Sequence, residues 1–133
     1  MAIILDADVI IRGEKGSLDL ATWMADLADE RFEVAAITVA ELRHGVERST
    51  AVHKARRERY LRAILEGLAI IPYTEATAFE HARIWALLGA TGRMIGYYDI
   101  IVAATAMERG STVATFNKRH FNQVKGLQVI EPK

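Results

Sequence analysis

A chain of 133 residues has the length of one ordinary domain, and a composition of 51% hydrophobic and 26% charged residues excludes an intrinsically disordered chain. Seventeen Lys and Arg balance seventeen Asp and Glu, which excludes a globally basic nucleic-acid binder and leaves room only for local cationic surface. The lack of cysteine excludes a disulfide scaffold, a cysteine nucleophile, an iron–sulfur centre and a Cys-ligated zinc site.

Taken in chain order, the first element is Ala2-Ile3-Ile4-Leu5, a short, apolar run that stops at Asp6. It suits a strand covered on both faces. Leu20, Trp23, Met24 and Leu27 then recur at helical spacing. Val34-Ala35-Ala36-Ile37 reads as a second strand, after which Thr38 is expected to cap a helix in a T-V-A-E capping box with Glu41. A basic helix is expected from about Ala51 to Gly67, burying Leu61, Ile64, Leu65 and Leu68. Leu68 to Ile71 reads as a third strand, closed by Pro72.

Thr74 or Thr77 is expected to start the next helix, which carries Phe79, Ala82, Trp85 and Leu88 towards Gly89. Thr91 to Tyr98 reads as loop, and Asp99 opens a helix that ends at Gly110. Thr112 to Thr115 is the expected fourth strand and Val129 with its neighbours the fifth. No run is long enough for a signal peptide or a membrane span, so the expected compartment is the cytoplasm. One domain covering 1–133 is expected, without linker, repeat or low-complexity tract.

Strands alternating with helices imply an α/β fold with a mostly parallel sheet of four to five strands and helices on both sides. Ligands in such folds bind beyond the carboxyl ends of the strands. Asp6 follows the first strand, Glu41 lies one helical turn past the second, and Asp99 begins a helix that reaches the same edge. Carboxylates brought together repel each other, and a hard divalent cation such as Mg²⁺ or Mn²⁺ resolves that conflict through oxygen ligands. Such an ion also activates water and neutralises a phosphoryl group in the transition state. No two histidines stand in an H-x-x-x-H pair, which argues against a zinc hydrolase.

Charge along the chain is polarised. Glu41 to Arg62 holds seven basic residues against three acids, and Arg109 to Lys125 holds four bases and no acid. A cationic groove beside an acidic centre suits a phosphate-bearing polymer. Arg43, Lys118, Arg119 and His120 are the candidate phosphate contacts. His44 and His53 are read as surface residues, and Trp23, Phe79 and Trp85 as core or interface.

I-L-D-A-D-V near the start, T-V-A-E-L-R-H-G, Y-Y-D-I-I-V-A-A-T-A and T-F-N-K-R-H-F together resemble the four motif blocks of PIN-domain ribonucleases, most closely the VapC-type toxins of toxin–antitoxin pairs. The resemblance runs from Ile3 to about Ile130. It implies a three-layer α/β/α sandwich and a Mg²⁺- or Mn²⁺-dependent endoribonuclease leaving 5′-phosphate and 3′-hydroxyl ends. It further implies a VapB-type antitoxin over the site and a homodimer, for which exposed apolar faces of the early helices would serve. Asp6, Glu41 and Asp99 match the first three motif acids and are the expected metal and catalytic residues. The fourth, usually acidic, position falls on Asn117, which offers a carbonyl oxygen and no charge, so one cation is expected rather than two. Asp8 adds charge that partly offsets this change.

Two other readings follow from the same residues. Asp6-Ala7-Asp8-Val9 fits the D-x-D-x-[TV] pattern of haloacid-dehalogenase-type phosphatases, but the later lysine and paired acid are missing. Loss of the fourth acid also suits a domain that binds RNA or an antitoxin without cutting.

Overall fold

The computed structural model describes all residues, Met1–Lys133. Five parallel strands form one sheet in the order β3-β2-β1-β4-β5. They are β1 (Ala2–Leu5), β2 (Arg31–Ala35), β3 (Ala69–Ile71), β4 (Thr112–Ala114) and β5 (Val129–Ile130). The helices are α1 (Ala7–Lys15), α2 (Leu20–Asp26), α3 (Ala36–Arg48), α4 (Ala51–Glu66), α5 (Glu75–Thr91), α6 (Tyr97–Arg109) and α7 (Lys118–Phe121). No helix is long and apolar enough to cross a membrane.

Alternation along β1 builds the two cores. Ile3 and Leu5 face one side, where they pack with Val9 and Ile10 of α1, Trp23 of α2, Leu42 and Val46 of α3 and Leu61 of α4. Ile4 faces the other side with Val113, packing against Ile84 and Leu88 of α5, Val102 and Ala106 of α6 and Phe121 of α7. The expected α/β/α sandwich is the observed fold.

The chain runs from β1 outwards to β3, then returns to lay β4 on the free side of β1. Strand order therefore reverses between β1 and β4, the place where open α/β sheets leave a crevice for ligands. Asp6 follows β1 and accepts a hydrogen bond from the Ala7 amide at 2.9 Å, so the acid that ends the strand also starts α1. Asp6 N–H in turn donates to the Ala114 carbonyl at 3.0 Å, which ties this corner to β4.

Three local expectations are corrected. First, the capping box of Thr38 and Glu41 does not form. Strand β2 passes straight into α3 at Ala36, the N-cap is Ala35 without a side-chain bond, and Thr38 lies buried inside the first turn with its hydroxyl unpartnered. Parallel pairing with β3 carries β2 through Ala35, so the helix starts before Thr38 can cap it. Secondly, α5 turns a different face inwards. Thr77, His81, Ile84 and Leu88 are buried, while Phe79 and Trp85 are 69% and 50% exposed, and the helix runs past Gly89 to Thr91. The capping box of Thr74 with Thr77 sets the helix start and thereby its phase. Thirdly, the exposed large apolar groups cluster on α5, α6 and the loop between them, with Leu87, Met94, Tyr97 and Tyr98 among them, whereas α1, α2 and α3 expose none.

At the opposite end of the sheet Glu33, wholly buried in β2, is held by the Arg109 guanidinium and by the Ser111 hydroxyl at 3.2 Å. Arg31 approaches the same carboxylate at 3.6 Å. A buried charge of this kind is tolerated only because it is paired and hydrogen-bonded.

Candidate active site

The carboxyl ends of β1 and β4 gather a connected set of polar groups. Thr115, directly after β4, donates its hydroxyl to Asp6 Oδ2 at 2.8 Å and stands 3.4 Å from Asp8 Oδ2. Asp8 Oδ2 also accepts from the Phe116 amide at 3.1 Å, while its Oδ1 is buried without a partner. The Asn117 amide donates to Thr115 Oγ1 at 2.9 Å. The Asn117 side-chain amide meets His120 Nδ1 at 2.9 Å, and that nitrogen lies 3.1 Å from Asp99 Oδ2. A chain of contacts thus leads from Asp6 through Thr115, Asn117 and His120 to Asp99, joining β1, the loop after β4, α7 and α6.

Asp99 lies in the first turn of α6, where the helix dipole favours an acid. Gly96 makes room for it: a Cβ there would sit 3.3 Å from Asp99 Oδ2. Glu41 is half-buried in the second turn of α3, close enough to Asp99 to be affected by its charge.

Three of these carboxyls, Asp6, Asp8 and Glu41, are pushed above their ordinary range. The Asp6 carboxyl is pushed up to about 7, first by burial and then by the charge of Asp8, with Asp99 adding to it against the Thr115 hydrogen bond. Burial likewise raises Asp8, and burial together with Asp99 raises Glu41. None of Asp6, Asp8 and Glu41 forms an ion pair with a basic side chain. The chain therefore concentrates carboxylate oxygen here without a direct cationic partner for these three.

No three His, Asp or Glu side chains stand close enough together to enclose an ion. A small hard cation does not need such a cage, because it binds through one or two carboxylates and keeps its waters. The donors here are oxygens, they are underneutralised, and Asp8 Oδ1 is an orphaned buried acceptor. On chemistry the pocket fits a hard divalent ion.

Of the expected residues, Asp6, Glu41, Asp99, Asn117 and His120 come together at this edge. Lys118 and Arg119 are exposed beside them on α7. Arg43 is elsewhere engaged: its guanidinium pairs with Glu58 of α4 at 2.9 Å and with Glu47 at 3.4 Å. Sequence reasoning missed Arg12, whose guanidinium lies 3.9 Å from the centroid of the Phe116 ring and whose charge lowers the Asp8 pKa. It sits one turn beyond Asp8 on α1, a spacing that could have flagged it.

Comparison with known proteins is consistent with this geometry. The PIN domain family matches residues 3–127. The VapC ribonuclease Y4jK of Sinorhizobium fredii is 33% identical over 139 residues, covering 98% of this chain and 96% of that protein. The tRNA(fMet)-specific endonuclease VapC of Salmonella typhimurium is 30% identical over 133 residues, covering 97% and 96%. The crystal structure of VapBC2 from Rickettsia felis, bound to a DNA fragment from the promoter, superposes with a TM-score of 0.93 over 100% of both chains at 23% identity, a likeness of fold.

Proposed function

The chain belongs to the PIN-domain family, and from that premise we propose that it is an endoribonuclease of the VapC type, the toxin of a toxin–antitoxin pair. The observation that carries this reading is the carboxylate corner at the β1/β4 switch point. Its acids come from positions 6, 41 and 99, repel one another, and have no basic partner sufficient to neutralise them.

Use of a divalent cation is general to nucleases of this family, and Mg²⁺ or Mn²⁺ is the ion we propose here. Asp6 and Asp99 would hold it, with Glu41 acting through water. Once bound, such an ion lowers the pKa of water and neutralises charge on a phosphoryl oxygen. The protein's own groups do the positioning. The Ala7 amide and the Thr115 hydroxyl fix both oxygens of Asp6, and the Phe116 amide fixes one oxygen of Asp8. Glu41 orients the attacking water and takes its proton, a role that suits a carboxylate whose pKa is raised. Asn117 and Asp99 hold His120 between them, and Lys118, Arg119 and His120 meet the RNA phosphates. The products carry 5′-phosphate and 3′-hydroxyl ends.

The partners we propose are RNA as substrate, a VapB-type antitoxin over the carboxylates, and a second copy of the chain. A cationic antitoxin side chain would neutralise the same acids as the metal. The exposed apolar groups of α5 and α6 are the surface available to a homodimer. One PIN-like domain acting in the cytoplasm completes the reading.

The test is cleavage of single-stranded RNA by the purified protein, with Mn²⁺ or Mg²⁺ and with EDTA, beside the Asp6→Asn and Asp99→Asn variants. Metal-dependent cutting by the wild type alone is expected. Equal activity in all samples removes the proposed mechanism, and stoichiometric RNA binding without product favours a non-cutting domain.

A further inference from the structure

Helix α3 carries Glu41, Gly45 and Arg48 at spacings of four and three residues, which puts them on one face. That face borders a small cavity beside Glu41 and, beyond it, a surface cleft. Beside Glu41 lies a small, largely apolar cavity of about 40 Å³, floored by Ile10, Leu42, Val46 and Leu61 and edged by Gly45 and Arg57. Arg57 stands between the two: it donates to the Gly45 carbonyl at 3.0 Å, and Gly45 leaves it room, since a Cβ there would lie 3.1 Å from the guanidinium. On the outer side of Arg57 a surface cleft of about 890 Å³ opens between α1 and the α3–α4 turn, bordered by Ile11, Arg57 and Tyr60 as well.

The charge of the cleft is unusual for a neutral protein. Arg57 is matched by Glu14 at 3.5 Å. Lys15, Arg48 and Arg56 also line the cleft, are exposed, and have no carboxylate partner. Arg56 leans on His53 Nδ1 at 3.1 Å, a contact that supplies no negative charge to offset its own. Arg59, on the same helix, is equally exposed and unpaired but does not line the cleft. Arg48 lies roughly 10 Å from Glu41 along the helix axis, at 1.5 Å per residue. Three unmatched cations in one surface cleft, one of them on the helix that carries Glu41, are an arrangement that can hold a polyanion in register with the acidic centre.

We infer that the cleft between α1 and the α3–α4 turn is a track for the RNA backbone, in which Lys15, Arg48 and Arg56 hold phosphates that lie along the strand from the bond cut at the carboxylates. The inference rests on the ribonuclease reading and deepens it: the substrate is a strand long enough to reach Arg48. A dinucleotide, with one phosphate between its nucleosides, cannot reach both places.

The experiment compares wild type, an Arg48→Ala/Arg56→Ala double variant and Arg59→Ala as a charge-matched control. Binding of a labelled twelve-nucleotide single-stranded RNA is read by fluorescence anisotropy across a salt series, and cleavage of that RNA and of a dinucleotide is read separately. The double variant is expected to bind the longer RNA about fivefold or more weakly, with a salt slope smaller by about 1.4, from roughly 0.7 for each phosphate no longer neutralised. KM for the longer RNA rises in step while kcat and dinucleotide cleavage stay within about twofold of wild type. Arg59→Ala behaves as wild type. Unchanged affinity and salt slope in the double variant overturn the inference, as does failure of the wild type to bind RNA. Loss of a co-expressed antitoxin with RNA binding intact also overturns it and assigns the cleft to a protein partner. Binding that depends on Arg48 and Arg56 without any cleavage sinks the ribonuclease reading and leaves the track in place.

Discussion

Thr115 Oγ1 donates to Asp6 Oδ2 at 2.8 Å across the seam between β4 and β1, although 109 residues separate the two in the chain. The same hydroxyl accepts from the Asn117 amide, and of the two carboxylates in its reach the nearer Asp6, rather than Asp8 at 3.4 Å, receives its proton. One small side chain thus orients the buried acid on which the proposed metal centre depends.

Thr115→Val removes that donor and keeps the shape. Asp6 then loses the hydrogen bond that opposes its raised pKa, and its ionised form becomes harder to reach at neutral pH. Cation affinity at pH 7 is expected to fall about tenfold or more, and less at pH 8.5. Calorimetric Mn²⁺ titrations at both pH values check this, and Thr115→Ser is expected to restore most of the affinity.

Metal-free protein is expected to lose stability as the pH rises. The folded-state pKa of Asp6, about 7, lies above its ordinary value of 3.8, so the stability linked to its proton is full below 3.8 and lost as the pH passes through 7. The loss from this group is on the order of 4 kcal/mol. Asp6→Asn retains an oxygen to accept from Ala7 and carries no charge. Denaturant unfolding at pH 8 in EDTA is expected to find the variant more stable than wild type, with Mn²⁺ stabilising only the wild type.

Asp99→Asn is expected to lower metal-dependent RNA cleavage by about a hundredfold or more, since one of the two proposed ligands loses its charge. Single-turnover cleavage of a labelled RNA measures it. His120→Ala, which removes a neighbour of Asp99 but no carboxylate, is expected to leave Mn²⁺ affinity within about tenfold of wild type.

Arg109→Met leaves Glu33 buried with its main cationic partner gone. The expected cost is about 3–5 kcal/mol in urea unfolding. Combining it with Glu33→Gln removes the stranded charge and is expected to recover a large part of that loss, without effect on metal binding at the other end of the sheet.

Much of this architecture was legible because its signals are local and strong. Ala2–Leu5 is apolar on both faces and stops at an acid, and Gly110 with φ 67° ends α6 as a glycine should. Asp6 and Asp99 could be placed at one edge because parallel sheets put all their carboxyl ends together. Helix α5 was not legible in phase: Phe79, Trp85 and Leu87 make it apolar on several sides, so periodicity had no unique solution, and the Thr74–Thr77 cap decided it. Thr38 followed by Glu41 is a sound capping motif that strand pairing overrode. The contacts of Arg12 with Phe116 and of Asp8 with the Phe116 amide depend on β4 lying beside β1, a fact of tertiary order that no window of sequence contains.

The strand order has a consequence for biosynthesis. Because β4 docks on the first strand after the chain has already built the other half of the sheet, a polypeptide still being translated holds Asp6 and Glu41 long before it holds Thr115. Until the returning segment arrives, the β1 edge of such a chain is an unpaired row of backbone groups open to other strands.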